Sequence, residues 1–240
     1  MSNEKTIITS YKDLQIIFED NHLLVVLKPQ NVPVARDSSE DLDLLNMLKT
    51  YLIESKNKPG DAFLGLVHRL DRTTGGVMVF AKTSRAAKRL AEQLQNGIFE
   101  KRYLAVTCGI PKEKHAILKN SLLKDEQNNY VSCVPIATEG SKSAVLEYKI
   151  VATNNGYALL DIKLLTGRSH QARVQLAYIG TPIMGDRKYG GTKPIFSQNL
   201  ALWATELRIQ HPVSKDNLVF RIEPPLSESP WNLFQFPVVL

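Results

Sequence analysis

Residues 146–164 constrain the fold more than any other stretch of this chain. Leu146, Tyr148 and Ile150 alternate with other residues, Asn155-Gly156 follows, and Leu160, Ile162 and Leu164 alternate again. Period-two apolar patterning on both sides of an Asn-Gly pair predicts an antiparallel hairpin, because such turns need two positive φ angles and match the twist of the flanking strands. Other apolar runs are also of strand length: 14–18 and 23–27 around a turn at Asp20-Asn21, 77–81, 102–107, 200–209 and 218–222. Lys28-Pro29 ends the second of these, since proline has no N–H to donate.

Three segments carry the helical period instead. In 41–54 Leu44, Leu45, Leu48, Tyr51 and Leu52 share a face, with Ser38 or Ser39 as the cap. Ser84 is the expected cap of a helix with an Ala87, Leu90, Ala91, Leu94 stripe that ends at Gly97. Ser169 is expected to cap a third helix over 170–179, ended by Gly180. Residues 111–143 read as loops, a short helix and a strand near 131–134. No βαβ rhythm appears, which predicts an α+β fold: a mixed, mainly antiparallel sheet flanked by a few helices. The 240 residues contain no linker, so a single domain over 1–240 is expected.

Composition removes several classes. A membrane span needs about 20 apolar residues, and the runs here are far shorter. The first residues carry no apolar stretch of the signal-peptide kind. Two cysteines, Cys108 and Cys133, are too few for a disulfide scaffold or a four-thiolate zinc site and suit a reducing cytoplasm. The net charge is +6, and residues 61–120 hold 11 basic side chains against five acids. Arg85, Lys88 and Arg89 project together from one helix, flanked by Lys82, Lys101 and Arg102. Such a ridge fits a polyanion; the plainer alternative is a solvated face.

Two polar constellations interrupt the apolar pattern. In His68-Arg69-Leu70-Asp71-Arg72-Thr73-Thr74-Gly75-Gly76 an acid lies between two arginines at a tight turn. Nearby cations keep a desolvated carboxylate ionised, which makes it a nucleophile or base; alternatively the pair merely fixes the turn. In Thr166-Gly167-Arg168-Ser169-His170-Gln171-Ala172-Arg173 two arginines, a histidine and a glutamine crowd one helix start, an anion-binding arrangement. Lys101-Arg102-Tyr103 adds an aromatic beside two cations, as in base-stacking sites, although a strand tyrosine is more often core. The kinase loop and the phosphate loop fail on spacing, and a paired-acid glycosidase is disfavoured because Asp71 is the only acid in a catalytic-looking setting. A metal set of His68, Asp71, His170 and Asp186 has no supporting motif.

These segments, in this order, resemble the RluA-type family of RNA pseudouridine synthases. Residues 17–29, with Leu24-Val25-Val26-Leu27-Lys28-Pro29, look like the family's opening strand pair. His68-Arg69-Leu70-Asp71-Arg72 with Thr74 and Gly76 looks like its catalytic motif, Lys101-Arg102-Tyr103 like its Lys-x-Tyr strand, and residues 166–186 like its last motif. The resemblance implies a pseudouridine synthase catalytic-domain fold that isomerises uridines in ribosomal or transfer RNA. Asp71 would be the essential carboxylate, Tyr103 would stack on the uracil, and Arg168 would pair with Asp71. Arg69 would help hold the space of the flipped base. Arg72, Thr74, Lys101, His170, Gln171 and Arg173 are expected to bind substrate, and Lys82, Arg85, Lys88 and Arg89 the RNA backbone. No metal, no nucleotide cofactor and no membrane partner is expected, and the protein would be a cytoplasmic monomer. The pattern begins by residue 16, so no N-terminal S4 domain is expected. Thr73, Gly75, Ala172, Gln175 and Asn31 depart from common family residues without removing a catalytic group. The rivals are a non-catalytic RNA-binding or assembly protein on the same fold and, more weakly, a metal-dependent phosphodiesterase.

Overall fold

The computed structural model describes residues 10–37, 39, 41–56, 62–190 and 199–235. Tertiary contacts divide the chain into two compact units: residues 1–99 with 209–218, and residues 100–208 with 219–240.

In the first unit β1 (Gln15–Glu19) and β2 (Leu23–Lys28) form an antiparallel hairpin. Asp20 closes it, its Oδ1 accepting the N–H groups of His22 and Leu23 at 2.7 Å each. β2 pairs antiparallel with β4 (Gly75–Ala81), and the two-residue β3 (Gly65–Leu66) also pairs with β4. β4 is buried along its whole length, which is why its sequence is a continuous apolar run and not an alternating one.

Two helices complete this unit. α1 (Leu44–Lys56) buries Leu44, Met47, Leu48 and Leu52. Its first turn is closed by Asp43, whose Oδ1 accepts the Asn46 N–H at 3.0 Å. Asp43 thus takes the place expected for Ser39, while Ser38 lies outside the described residues. α2 (Ser84–Gln95) is capped by Thr83, not by the Ser84 expected from sequence: Thr83 Oγ1 accepts the Ala86 N–H at 3.1 Å. Gly97 follows it with φ of 72°, as a left-handed helix stop requires. Gly65 lets β3 run against α2, since a Cβ there would come within 2.9 Å of Ala87 Cβ. Residues 209–218 return to this unit through Gln93, whose side-chain amide exchanges two hydrogen bonds with the backbone of Gln210.

The second unit is built on strands β5 (Glu100–Cys108), β6 (His115–Asp125), β7 (Tyr130–Val134), β8 (Lys142–Asn154), β9 (Tyr157–Leu164), β10 (Leu202–Gln210) and β11 (Asn217–Arg221). Six lie in the order β10-β5-β9-β8-β6-β7, each antiparallel to its neighbour, and β11 pairs with β10. The β8–β9 hairpin turns at Asn155 and Gly156, with φ of 48° and 81°, as the Asn-Gly signal requires. The 111–143 stretch is the main departure. The 11-residue β6 stands where a short helix was expected, because Leu118 and Leu122 pair with β8 and Leu122 packs against Val174 of α3 (Gln171–Tyr178). The fold is α+β with a mainly antiparallel sheet. Among the described residues no helix is long and apolar enough to cross a membrane.

Register defines the two faces of the second sheet. Tyr103 pairs with Ile162, Ile162 with Tyr148, and Tyr148 with Ala116, so all four share a face. α3 covers part of that face: Val174 packs with Leu122, Val131, Ala144 and Tyr189, and Gln175 Nε2 donates to Asn120 Oδ1 at 2.8 Å. The opposite face is laced with ion pairs. Arg102 holds the buried Asp161, Lys163 meets Glu100 at 2.8 Å, and Arg208 and Arg221 both meet Glu206.

Candidate active-site segments

Asp71 sits on the tight turn that feeds β4. Its carbonyl accepts the Thr74 N–H at 2.9 Å, and Gly76, the second residue of β4, has φ of 123°. The turn is locked from beneath by Lys28. Its Nζ donates to the carbonyls of Pro29 (2.8 Å), Arg72 (2.9 Å) and Thr74 (2.8 Å), and the side chain is fully buried. Three donated bonds use all three ammonium protons. Burial pulls the Lys28 pKa down to about 7 against the pull of the Asp71 carboxylate, and Arg72 adds to the lowering. Asn31, at φ of 65°, completes the cradle by donating its N–H to the Arg72 carbonyl at 2.8 Å. Asparagine is one of the few residues besides glycine that tolerate that left-handed backbone.

Lys28→Met is expected to cost roughly 2 kcal/mol, since three carbonyls lose a donor. In the folded protein the ammonium titrates near 7, and in the unfolded chain near 10.5. The folded state therefore releases its proton first, and the wild type gains stability across that window, by at most about 1.4 kcal/mol per pH unit. Urea unfolding at several pH values checks this: the gap between wild type and variant is expected to widen from pH 7 upward.

The other candidates of the first unit divide sharply. Arg69 is exposed, and Thr74 is buried. Arg72 is engaged with the 31–41 segment. Arg85 and Lys88 are exposed on α2. Lys82 differs from its neighbours on the expected ridge: its side chain is 7% exposed and its ammonium pairs with Glu19 at 2.5 Å, a contact the charge count could not reveal. Arg89 is spent on the Pro212 carbonyl at 2.6 Å. His68, from the metal set, accepts the Val79 N–H on Nε2 at 3.1 Å and packs its ring edge-on to Phe99.

In the second unit Tyr103 is buried on the α3 side of the sheet, while Arg168 is exposed just before α3. The turn carrying Arg168 is knitted to β8. Gln171 Oε1 accepts the Arg168 N–H (3.0 Å) and the Thr166 hydroxyl (2.8 Å), and its Nε2 donates to the Val145 carbonyl (3.0 Å). Arg168 Nε donates to the Ser143 carbonyl at 2.9 Å. Lys101 reaches the same turn, for a Cβ on Gly167 would lie 3.2 Å from its Nζ. Burial lowers the Lys101 pKa.

His170, not Ser169, is the residue at the start of α3. It has φ of 52° and caps no backbone group with its ring. Its Nδ1 lies 2.6 Å from the Tyr189 hydroxyl, which accepts the Val131 N–H at 3.0 Å. Gln171 and Arg173 are both buried and bonded within the fold. Arg173 makes a two-pronged pair with Asp186, 2.8 Å on each arm, and its guanidinium lies 5.1 Å over the Tyr189 ring. The structural roles of Lys28 and Tyr189 escape a reading by sequence. A lysine closing an apolar strand and a tyrosine beside glycines carry no mark of burial or partner.

Comparison with known proteins agrees with this arrangement. A model of the RNA pseudouridylate synthase family matches residues 22–178. Ribosomal large subunit pseudouridine synthase C of Pasteurella multocida is 34% identical over 223 residues, 90% of this chain and 66% of its own. RNA pseudouridine synthase YlyB of Bacillus subtilis is 32% identical over 225 residues, 93% of this chain and 72% of its own. The solved structure of human RNA pseudouridylate synthase domain containing 4 has the same fold, with a TM-score of 0.73 over 88% of both chains at 23% identity. The chain belongs to the RluA-type family of RNA pseudouridine synthases, isomerases that act on RNA.

Proposed function

We propose that this protein isomerises specific uridines of ribosomal RNA to pseudouridine, with Asp71 as the essential carboxylate. One observation carries the assignment of Asp71. The turn that presents it is fixed through the backbone carbonyls of Pro29, Arg72 and Thr74 by a buried ammonium, which holds the Asp71 backbone in one position at the head of β4. The substrate class follows from relatives named for the large ribosomal subunit; transfer RNA is the alternative substrate.

In the reaction the N1–C1′ bond breaks, the uracil turns, C5 bonds to C1′ and gives up its proton, and N1 takes up a proton in its place. Atoms and oxidation state balance within the nucleotide, so no nucleotide cofactor is called for. The target base must leave its stack, at a cost of a few kcal/mol that stacking on an aromatic ring offsets. Tyr103 is assigned that ring and Arg168 the guanidinium that keeps Asp71 ionised. Arg69 is assigned to the space left by the flipped base. Attack at C1′, addition at C6 and removal of a sugar proton all require the same ionised carboxylate. The reading places the protein in the cytoplasm as a monomer.

Pseudouridine mapping of total RNA from cells with and without the gene tests the assignment: one or a few ribosomal positions are expected to revert to uridine. No lost position would overturn it. Arg85 and Lys88 are the backbone contacts retained from the ridge. Arg85→Ala/Lys88→Ala is expected to lower the slope of log affinity against log salt by about 1.4–1.8, two phosphate contacts' worth, whatever the RNA sequence. An unchanged slope would remove the ridge from the interface.

A further inference from the structure

We propose that in the RNA-free protein the acidic segment between β2 and α1 occupies Arg72 as a stand-in for phosphate, and that the RNA backbone displaces it. The proposal rests on the reading of the chain as an RNA-modifying isomerase.

Arg72 directly follows Asp71 in the chain. Its Nε donates to the Asn31 carbonyl at 3.2 Å and its Nη1 to Ser39 Oγ at 2.8 Å. Nη1 also lies 3.5 Å from Asp37 Oδ2, and Nη2 donates to Asp41 Oδ2. The guanidinium fork therefore meets two carboxylates and a hydroxyl, oxygen acceptors of the kind a phosphodiester offers.

The exposure of the partners separates this contact from the other arginine pairs. Arg102, Arg173 and Arg208 meet carboxylates that are 4%, 0% and 3% exposed, which makes those pairs parts of the scaffold. Asp37 and Asp41 are 41% and 51% exposed, and Arg72 itself 40%. Exposed pairs contribute little net stability, so an incoming polyanion exchanges them readily. Hydrogen bonds from Ser39 hold Asp37 below the usual carboxylate range, and Arg72 does the same for Asp41, so both acids are charged at neutral pH. Residues 37–43 hold four acids in a chain of net charge +6. The negative charge is gathered where a cation next to the proposed catalytic acid has to be shielded.

A double-mutant cycle on poly(U) binding at fixed ionic strength tests this. Asp37→Asn/Asp41→Asn is expected to tighten binding roughly fivefold, the upper range for an exposed ion pair. The same substitutions in an Arg72→Ala background are expected to give no gain. An equal gain in both backgrounds would mean simple repulsion of RNA by the acids and would overturn the latch. Weaker binding by the double variant would make the segment a strap that shapes Arg72 for RNA, which also overturns it. Release of tritium from C5-labelled ribosomal RNA by the wild type is followed in parallel. Its absence would sink the functional reading, while the poly(U) cycle would still decide the latch.

Discussion

Asp71→Asn is expected to abolish tritium release from RNA labelled at uracil C5, on the order of a thousandfold or more, while RNA affinity stays close to that of the wild type. The substitution keeps the side-chain shape and removes only the charge. It also spares the turn, because Lys28 holds the Pro29, Arg72 and Thr74 carbonyls and Thr74 bonds the Asp71 carbonyl, all backbone groups. A folded, RNA-binding and inactive variant is therefore the outcome that assigns the chemistry to the carboxylate. Normal release would remove Asp71 from the mechanism. A second consequence follows beneath the turn. The Asp71 charge opposes the fall of the Lys28 pKa, so Asp71→Asn is expected to lower that pKa further.

Arg173→Met is expected to produce the largest loss of stability, about 4 kcal/mol, measurable by urea unfolding. It leaves the Asp186 carboxylate, fully buried, without its guanidinium. Burial pushes the Asp186 pKa up, but Arg173 and the N–H groups of Tyr189 and Lys188 hold it below the ordinary 3.8. A depressed folded pKa contributes stability above the unfolded value and loses it as pH falls through the folded one. The wild type therefore loses this contribution in acid, whereas the variant has less to lose. The gap between them is expected to narrow below pH 3.8. Arg173→Met/Asp186→Leu, which buries no charge, is expected to recover much of the loss. A single variant as stable as the wild type would show that the pair is not structural.

What the sequence revealed and what it hid follow one physical division. Local signals were legible: the Asn155-Gly156 hairpin, the apolar stripe of α2 and the strand pairs flanking Asp20 each declare themselves within a dozen residues. The motif segments were legible for the same reason. Partners distant in sequence were not. Lys82 looked like one more cation of a ridge until Glu19, 63 residues away, claimed it. Arg173 looked like a phosphate ligand until Asp186 was found against it. The cap of α2 slipped by one residue, to Thr83, because its hydroxyl and not that of Ser84 reaches the Ala86 N–H. β6 hid within a polar stretch because only one of its faces is covered, so that Leu118 and Leu122 alternate with Lys119 and Ser121.

The interleaved route of the chain through the first unit has a consequence for synthesis. His211 Nε2 donates to Asp20 Oδ2 at 2.9 Å across 191 residues, and Gln93 grips Gln210 across 117. A nascent polypeptide leaving the ribosome cannot make either bond until residues 210 and 211 emerge. The strands and helices before residue 99 therefore wait, incompletely closed, while the hairpins of the second unit, made from near neighbours, form as they appear.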